Sequence, residues 1–284
     1  MSVSGASLRP DAHVIRGPSA WGGGLRRLAF LVWTMGLTEY RLTYFGSALG
    51  WLWALVRPLL LFGVLYVVFS EIVKFGEDIP NYPVLLLLNI VLFTFFTEAT
   101  TRAVTSVVEG EGVVRKMHFP RMAIPLARVL TATFNLLMSL VAVVVFLIAY
   151  GVDPTLTWLL FPLLVLALIA LTAGVAMLVS ALYVRFRDVA PIWSVLATAL
   201  FYGSPVLYTI ESVPEDWRTA YLCNPLAALL EQTRHWVVDP DSPGLVEAIG
   251  GWGWALVPLL IAAAVCATGL WVFNREAPRI AERL

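Results

Sequence analysis

The sequence predicts an all-α membrane protein with six transmembrane helices, an N-terminal amphipathic interface helix and short re-entrant outer helices between spans five and six. Hydrophobic residues make up 60% of the 284 residues and charged residues only 13%, whereas soluble domains average about 25% charged residues. Mean hydropathy is +0.83. The apolar residues also gather in runs of about 20, the length that an α-helix needs to cross a bilayer.

Six apolar runs are long enough to span a membrane. They cover residues 50–69, 83–103, 129–150, 156–184, 190–210 and 252–273. The fourth run is the longest and carries Pro162 early, so we expect it to tilt or to begin as an interfacial turn. The N-terminal residues contain no apolar signal-peptide core, so we expect the first span to direct membrane insertion itself.

The positive charges predict the orientation of these spans. With both termini in the cytoplasm, Lys74, Arg218 and Arg234 are the only ones of the 19 Lys and Arg residues on the outer side. Because Lys and Arg collect on the cytoplasmic side of membrane proteins, we predict that both termini are cytoplasmic. The predicted domains are an N-terminal tail over residues 1–24, an interface helix over 25–46, a permease domain over 47–273 and a C-terminal tail over 274–284.

The predicted interface helix has helical periodicity but too many polar groups to cross a membrane. A polar stripe runs along one side of it, between an aromatic arc and an aliphatic arc. This pattern is typical of a helix that lies in the inner interface, and simple membrane anchoring is the alternative role. The stripe consists of Arg27, Thr34, Thr38 and Arg41.

A basic loop over residues 107–125 connects the second and third spans. Two glycines interrupt the helix after Glu109, and Pro120 marks its return, so residues 113–119 can form only a short isolated helix. Such a helix, parallel to the membrane, is suited to docking by a partner protein. The alternative is a solvated turn whose charge only sets the orientation.

The outer region between the fifth and sixth spans, residues 211–250, is rich in Trp, Pro and acidic residues. Asn224 and Pro225 suit the N-cap and first turn of a helix. Glu231 and Arg234 are spaced for an ion pair on that helix. We therefore expect short helices folded back over the outer mouth.

The chain has no nucleotide-binding motif of the P-loop type. That motif needs Gly-Lys-Ser/Thr, because its backbone N–H groups and lysine hold the phosphates. The only lysines are Lys74 and Lys116, and neither has this context. We therefore expect no ATP hydrolysis by this chain and no cofactor bound to it.

Other chemistries have weaker support in the sequence. Glu98 is the one acid well inside a span, so an ion-coupled carrier stays open. The spacing of the two cysteines and three histidines does not suit a metal site. A nucleophile elbow is absent too, which argues against a hydrolytic membrane enzyme.

Three segments carry a resemblance to a known family. They are EYRLTYFGSALGWLWALVRPLL at residues 39–60, GVVRKMHFPRMAIPLARV at 112–129, and LYVRFRDVAPIWSVLATALFYGSPVLY at 182–208, continued by NPLAALLEQTR at 224–234. In this order they resemble the permease subunits of type-2 ABC exporters. Within that family the chain is similar to the polysaccharide-export permeases, which move O-antigen, teichoic acid, galactan or capsule chains.

The resemblance implies a homodimer in the bacterial plasma (inner) membrane, with two copies of a separate ATP-binding subunit that hold the ATP and Mg. The substrate would be a polyprenyl-linked glycan, with membrane lipid as the other contact and no nucleic acid involved. A type-2 permease for a drug or lipid is the alternative. The basic loop would contain the coupling helix, and the interface helix would rest on the ATPase or on lipid headgroups. The implied coupling residues are Glu109, Glu111, Val113, Arg115, Lys116 and His118.

The resemblance also places the channel at the centre of the dimer, lined mainly by spans one, two and five. Aromatic faces there would stack on sugar rings, although Trp and Tyr also form interfacial belts in membrane proteins. The candidate pathway aromatics are Trp53, Tyr66, Trp193, Phe201, Tyr202 and Tyr208.

Arg57 is the candidate for substrate recognition. An arginine at the centre of a span costs about 2.5 to 3.5 kcal/mol on insertion scales and by default marks a pathway. Its expected partner is the diphosphate of the lipid-linked glycan, which arginine can hold through two hydrogen bonds. The alternatives are an ion pair with Glu98 or a side chain that extends to the headgroups.

Overall fold

The computed structural model describes residues 24–44, 50, 52–74, 76, 79–110, 112 and 119–277. Within these ranges the chain forms helices joined by turns, and no strand occurs in them. The α-helices are α1 (Leu25–Tyr44), α2 (Leu52–Tyr66), α3 (Tyr82–Glu109), α4 (Ala123–Ala149), α5 (Phe161–Arg185), α6 (Val189–Tyr202), α7 (Glu215–Leu222), α8 (Pro225–Thr233), α9 (Leu245–Ala248) and α10 (Trp252–Glu276). A π-helical turn, Val67–Ile72, extends α2, and a 3₁₀ turn, Leu156–Leu160, precedes α5.

Among the described residues, five helical segments are long and apolar enough to cross a membrane. They are Leu52–Ile72, Tyr82–Glu109, Ala123–Ala149, Leu156–Arg185 and Trp252–Glu276. They coincide with five of the six predicted spans, which confirms a multi-span helical membrane protein.

The predicted fifth span, residues 190–210, is helical over a shorter length than expected. Its helix, α6, has 14 residues and is therefore about 21 Å long, less than the hydrocarbon thickness of about 30 Å. The helix ends where the Gly203 amide donates to the Ala199 carbonyl. A buried turn through Ser204 and Pro205 then continues the chain toward α7. Proline cannot continue a helical hydrogen-bond ladder, which explains the early end.

Helix α3 is the central helix of the bundle. In its most apolar 18-residue window, 78% of the residues are buried, against 17% for α2 and for α10. It packs on both α4 and α5, in accord with a sequence that is apolar all round. Helix α10 instead packs on the far side of α5.

Helix α1 packs extensively along α4, although few of its residues are fully buried there. Leu28 and Gly36 are its buried residues, and a Cβ on Gly36 would come within 2.9 Å of the Leu130 side chain. The four residues of the predicted polar stripe, Arg27, Thr34, Thr38 and Arg41, are all exposed. The helix therefore forms over the described part of its predicted range, with these four residues exposed.

Three short helices, α7, α8 and α9, connect α6 to α10 along the chain. They form the region that the sequence predicts to be on the outer side, and we refer to them as the outer helices. Asn224 caps α8, since its Oδ1 accepts a hydrogen bond from the Leu226 amide at 3.1 Å. Helix α8 continues into a π-helical turn, Arg234–Val238. The expected Glu231–Arg234 ion pair forms at 3.2 Å. Both local predictions for this region are confirmed.

Candidate functional site

A cavity of about 310 Å³ lies between α1, α2, α3 and α4. One part of its wall is apolar and includes Val91, Phe95 and Leu136. The other part is polar and carries charged and amide side chains. The polar residues of the lining are Thr43, Tyr44, Arg57, Thr94, Glu98, Arg102, Asn135 and Ser139. Such a mixed lining suits a ligand with one apolar and one charged part.

Asn135 of α4 is the centre of the polar wall. Its Nδ2 donates to Glu98 Oε1 at 2.9 Å, and its Oδ1 accepts from the Tyr44 hydroxyl at 2.8 Å. Arg102 completes the group, with its Nη2 3.1 Å from Glu98 Oε1. These contacts join α1, α3 and α4 at the level of the cavity.

Arg57 lies in the cavity wall beside a proline in α2. Pro58 has no N–H to donate to the carbonyl of Ala54, four residues earlier. The Ser139 hydroxyl of α4 donates to that carbonyl instead, at 3.0 Å. A membrane helix needs such a replacement, because an unsatisfied carbonyl in hydrocarbon costs several kcal/mol. The bond also fixes the proline turn of α2 against α4 and so sets where Arg57 projects.

Arg57 itself is exposed and lines the cavity. Among the residues that the structure describes, it has no ion pair or hydrogen bond partner. Glu98, the alternative partner, pairs with Arg102 instead. The described part of the lining therefore carries two arginines and one carboxylate. Because Arg102 pairs with Glu98, Arg57 is the arginine that a ligand can bind.

The predicted pathway aromatics fall into three groups. Trp53 shares the cavity with Arg57. Tyr66 stacks on Phe62 with ring centroids 5.6 Å apart and is half-buried. The remaining four lie on α6 or in the turn after it, away from the cavity lining.

The α6 aromatics pack on α3. Trp193 donates from Nε1 to Thr100 Oγ1 at 3.2 Å, and Phe201 contacts Phe93 edge to face, with ring centroids 5.2 Å apart. The other two lie nearer the outer helices. Tyr202 is 63% exposed, and the Tyr208 hydroxyl lies 2.8 Å from the Tyr202 carbonyl and 2.7 Å from the Tyr221 hydroxyl.

Sequence reasoning missed Tyr44, Arg102, Asn135 and Ser139 as parts of the cavity. One signal was available for Asn135, because an amide within the apolar run TATFNLLMS is rare in a span and by default faces the bundle interior. Arg102 lies at the end of the predicted second span, where an arginine can extend to the headgroups. Ser and Tyr are common near membrane helices and carry no such signal.

The described part of the basic loop is its two ends and Gly112. Glu109, the last residue of α3, accepts from Thr105 Oγ1 at 2.6 Å and pairs with Arg128 Nη2 at 3.2 Å. The other implied coupling residues, Glu111, Val113, Arg115, Lys116 and His118, lie outside the residues that the structure describes.

The returning end of the basic loop is anchored in the protein interior. Arg121 is buried, and its guanidinium donates to the Ala277 carbonyl just after α10. Burial lowers the pKa of Arg121. Phe119 and Met122 are buried in the same cluster as Leu28 of α1. This end of the loop is thus held between α1, α4 and the end of α10.

The comparison with known protein families decides which family this helical bundle belongs to. A family model described as ABC-2 type transporter matches residues 31–236. The chain belongs to the ABC-2 type transporter family. The matched region begins within α1 and ends in the turn after α8, so it includes the cavity, both ends of the basic loop and most of the outer helices.

Relatives of this ABC-2 family chain match about three quarters or more of its length. It is 29% identical over 249 residues to the O-antigen export system permease protein RfbA of Klebsiella pneumoniae, covering 87% of this chain and 92% of the relative. The RfbA protein of Myxococcus xanthus is 26% identical over 252 residues, with the same coverage. The polysialic acid transport protein KpsM of Escherichia coli is 25% identical over 219 residues, covering 74% of this chain and 81% of KpsM.

Proposed function

We propose that this chain is the permease subunit of an ATP-driven exporter that moves a polysaccharide out of the bacterial cytoplasm across the plasma (inner) membrane. The observation that carries the proposal is its similarity to O-antigen and polysialic acid export permeases over most of their length. In this arrangement both termini are cytoplasmic. The chain acts as a homodimer with two copies of a separate ATP-binding subunit, which hold the ATP and Mg.

The proposed substrate is a polysaccharide linked to a polyprenyl diphosphate. The cavity supports this class of ligand, since it combines an apolar wall with Arg57, which has no partner among the described residues. A guanidinium can bind a diphosphate through two parallel hydrogen bonds. The apolar wall and Trp53 would contact the first isoprene units or the first sugar. Recognition of the shared lipid diphosphate would leave the glycan itself free to vary.

Export of the strand would use aromatic faces that adhere to sugar rings without selecting among them. Tyr202 is the last residue of α6, Tyr208 lies in the turn that follows it, and Trp53 lies in the cavity. Together they would mark the two ends of a path across the membrane. The basic loop would receive the movement of the ATP-binding subunits.

The proposal is tested by replacing Arg57 with Leu in cells that make the lipid-linked glycan. Loss of the guanidinium removes the diphosphate contact, so surface polysaccharide should fall about tenfold or more, as expected from the loss of a charge-assisted hydrogen bond of 1.5 to 3 kcal/mol. The measurements are surface polysaccharide and the amount of ATP-binding subunit that co-purifies. Arg57→Lys keeps the charge and should retain part of the export.

Arg187→Leu is the matched control, because Arg187 stacks on Tyr183 away from the cavity. It should export at the wild-type level. Normal export by Arg57→Leu would remove the role of Arg57, and depletion of the chain without any loss of surface polysaccharide would remove the proposed function.

A further inference from the structure

Helices α1, α3 and α4 are joined by polar contacts at two levels. The upper level is the cavity wall, where Tyr44, Asn135 and Glu98 form a hydrogen-bonded chain across the three helices. The lower level lies near the basic loop and joins the same three helices through Arg128 of α4. The two levels therefore form a ladder between the cavity and the loop.

Arg128 binds two carboxylates from different helices at the lower level. Its Nη1 donates to Glu39 Oε1 of α1, and its Nη2 donates to Glu109 Oε2 of α3 at 3.2 Å. Side-chain exposure is 25% for Arg128, 21% for Glu39 and 56% for Glu109. The ion pair with Glu39 is therefore the less exposed of the two. Partly buried ion pairs are screened less by salt than exposed pairs, so more of their attraction is retained.

The lower contacts are located where the basic loop leaves and re-enters the bundle. Glu109 is the last residue of α3, and Arg128 lies in the second turn of α4. The Arg128–Glu109 pair therefore closes the base of the loop. Through Glu39, the same guanidinium attaches that base to α1.

An open cleft connects the two levels. Its lining includes Glu39, Glu109 and Arg128, and it shares Thr43 and Arg102 with the cavity above. On α4 the two levels are seven residues apart, from Arg128 to Asn135, which is about 10.5 Å along a helix. Few flexible residues separate them, since both lie on continuous helices.

We propose that Arg128 is a positioning residue that transmits movement of the basic loop to the substrate cavity. The inference rests on the proposed function, in which the loop receives the ATP-binding subunit. When the loop base moves, the guanidinium makes α1, α3 and α4 move as one unit, and the cavity wall formed by the same helices changes shape. Without Arg128, two carboxylates face each other unneutralised, and the loop base can move without α1.

The test compares variants in inverted membrane vesicles from cells that make the lipid-linked glycan and contain the ATP-binding subunit. Two quantities are measured in the same vesicles: ATP hydrolysed and glycan transported into the lumen. Arg128→Gln should retain ATP hydrolysis but lower the glycan transported per ATP by about fivefold or more, the lower end of coupling between two sites. Arg128→Lys, which can bind only one carboxylate well, should lie between Gln and wild type.

Two further variants separate transmission from folding. Glu39→Gln should reproduce the loss of coupling with a smaller change in structure, and adding it to Arg128→Gln should cause little further loss, because both remove the same contact. Arg26→Gln is the matched control, because Arg26 is an exposed arginine on α1, the helix that carries Glu39. This variant should transport as much glycan per ATP as wild type.

The outcomes are distinguishable from failure of the proposed function. Wild-type vesicles that hydrolyse ATP without transporting glycan would contradict the proposed function itself. If wild-type vesicles transport glycan, and Arg128→Gln and Glu39→Gln transport as much glycan per ATP as wild type, the role of Arg128 would be overturned. Loss of the ATP-binding subunit from both variants would overturn it too, because the contacts would then only maintain the fold.

Discussion

Three carboxylates contact one guanidinium among the outer helices. Arg234 Nη1 lies 2.7 Å from Glu211 and 3.2 Å from Glu231, and Nη2 lies 3.1 Å from Asp239. One positive charge cannot neutralise three carboxylates. Burial raises the pKa of Glu231 to about 7, and the attraction of Arg234 offsets only part of that rise. Burial also tends to raise the pKa of Glu211, but hydrogen bonds from Arg234 and Thr209 outweigh this effect, and the pKa of Glu211 is lowered.

The raised pKa of Glu231 makes stability depend on pH. Because the folded-state pKa of about 7 exceeds the ordinary 4.5, the folded state holds more protons between these values, and stability falls as pH rises through that window. Wild-type protein in detergent should therefore melt at a higher temperature at about pH 5 than at about pH 8, and Glu231→Gln should reduce this difference. Glu211 does not affect this comparison, since its pKa is lowered from 4.5 and its contribution to the pH dependence of stability lies below the pH range that is compared.

Glu247→Gln is the control for that measurement, because Glu247 is exposed on α9. It should leave the pH dependence as in wild type. A pH dependence that is the same in Glu231→Gln and wild type would show that Glu231 is not the titrating group.

At the scale of helices, two glycines bring α5 and α10 into backbone contact. A Cβ on Gly269 of α10 would lie 2.2 Å from the Gly174 carbonyl oxygen of α5. Close approach of this kind supports membrane helix pairs, which have no hydrophobic driving force against lipid. Most of α10 is otherwise exposed, so this contact is central to how the last span is held.

Gly269→Ala should separate α10 from α5. The added methyl would meet backbone rather than a flexible side chain, so we expect a loss of about 1 to 3 kcal/mol, as for overpacked cores. The measurement is thermal unfolding of the detergent-solubilised chain. Gly253→Ala is the matched control on the same helix, because a Cβ there meets nothing within 4 Å. If Gly269→Ala and Gly253→Ala unfold at the same temperature, that result would contradict the close packing of α10 on α5.

At the scale of the whole molecule, α2 and α6 present apolar surfaces that the single chain does not cover. Ala197 is the one buried residue of α6, while α2 exposes Leu60, Leu61 and Val64. Lipid could cover these surfaces, but the proposed homodimer would place them around its central channel. The described chain leaves them available for that role.

A cysteine cross-linking experiment tests the dimer. In a background with Cys223→Ser and Cys266→Ala, Val195→Cys on α6 should form cross-linked dimers in membranes with a short bifunctional maleimide. Val145→Cys on α4 is the control, because it is also exposed but lies on a different helix. We expect cross-linking at position 195 and little at 145. Cross-linking at 145 alone would place the dimer contact elsewhere.

The sequence by itself determined the helical membrane fold, five of its spans and the cap at Asn224. These features depend on residues that are close in sequence, because span length follows from bilayer thickness and a cap is formed within two or three residues. Family membership also followed from the order of motifs. The length of α6 was harder to predict, since a turn at Gly203 and Pro205 replaces the last part of an apolar run.

Only the tertiary structure decided which polar side chains meet. Arg57, Glu98 and Asn135 come from three different spans, and whether they share a cavity depends on how each helix is rotated and packed. For that reason Glu98, which the sequence offers as an alternative partner of Arg57, pairs in the structure with Arg102, one turn further along α3. The same applies to Arg128, whose partners Glu39 and Glu109 are 89 and 19 residues away. Hydrophobic patterning specifies which side of a helix is buried, but it does not specify which neighbour that side will face.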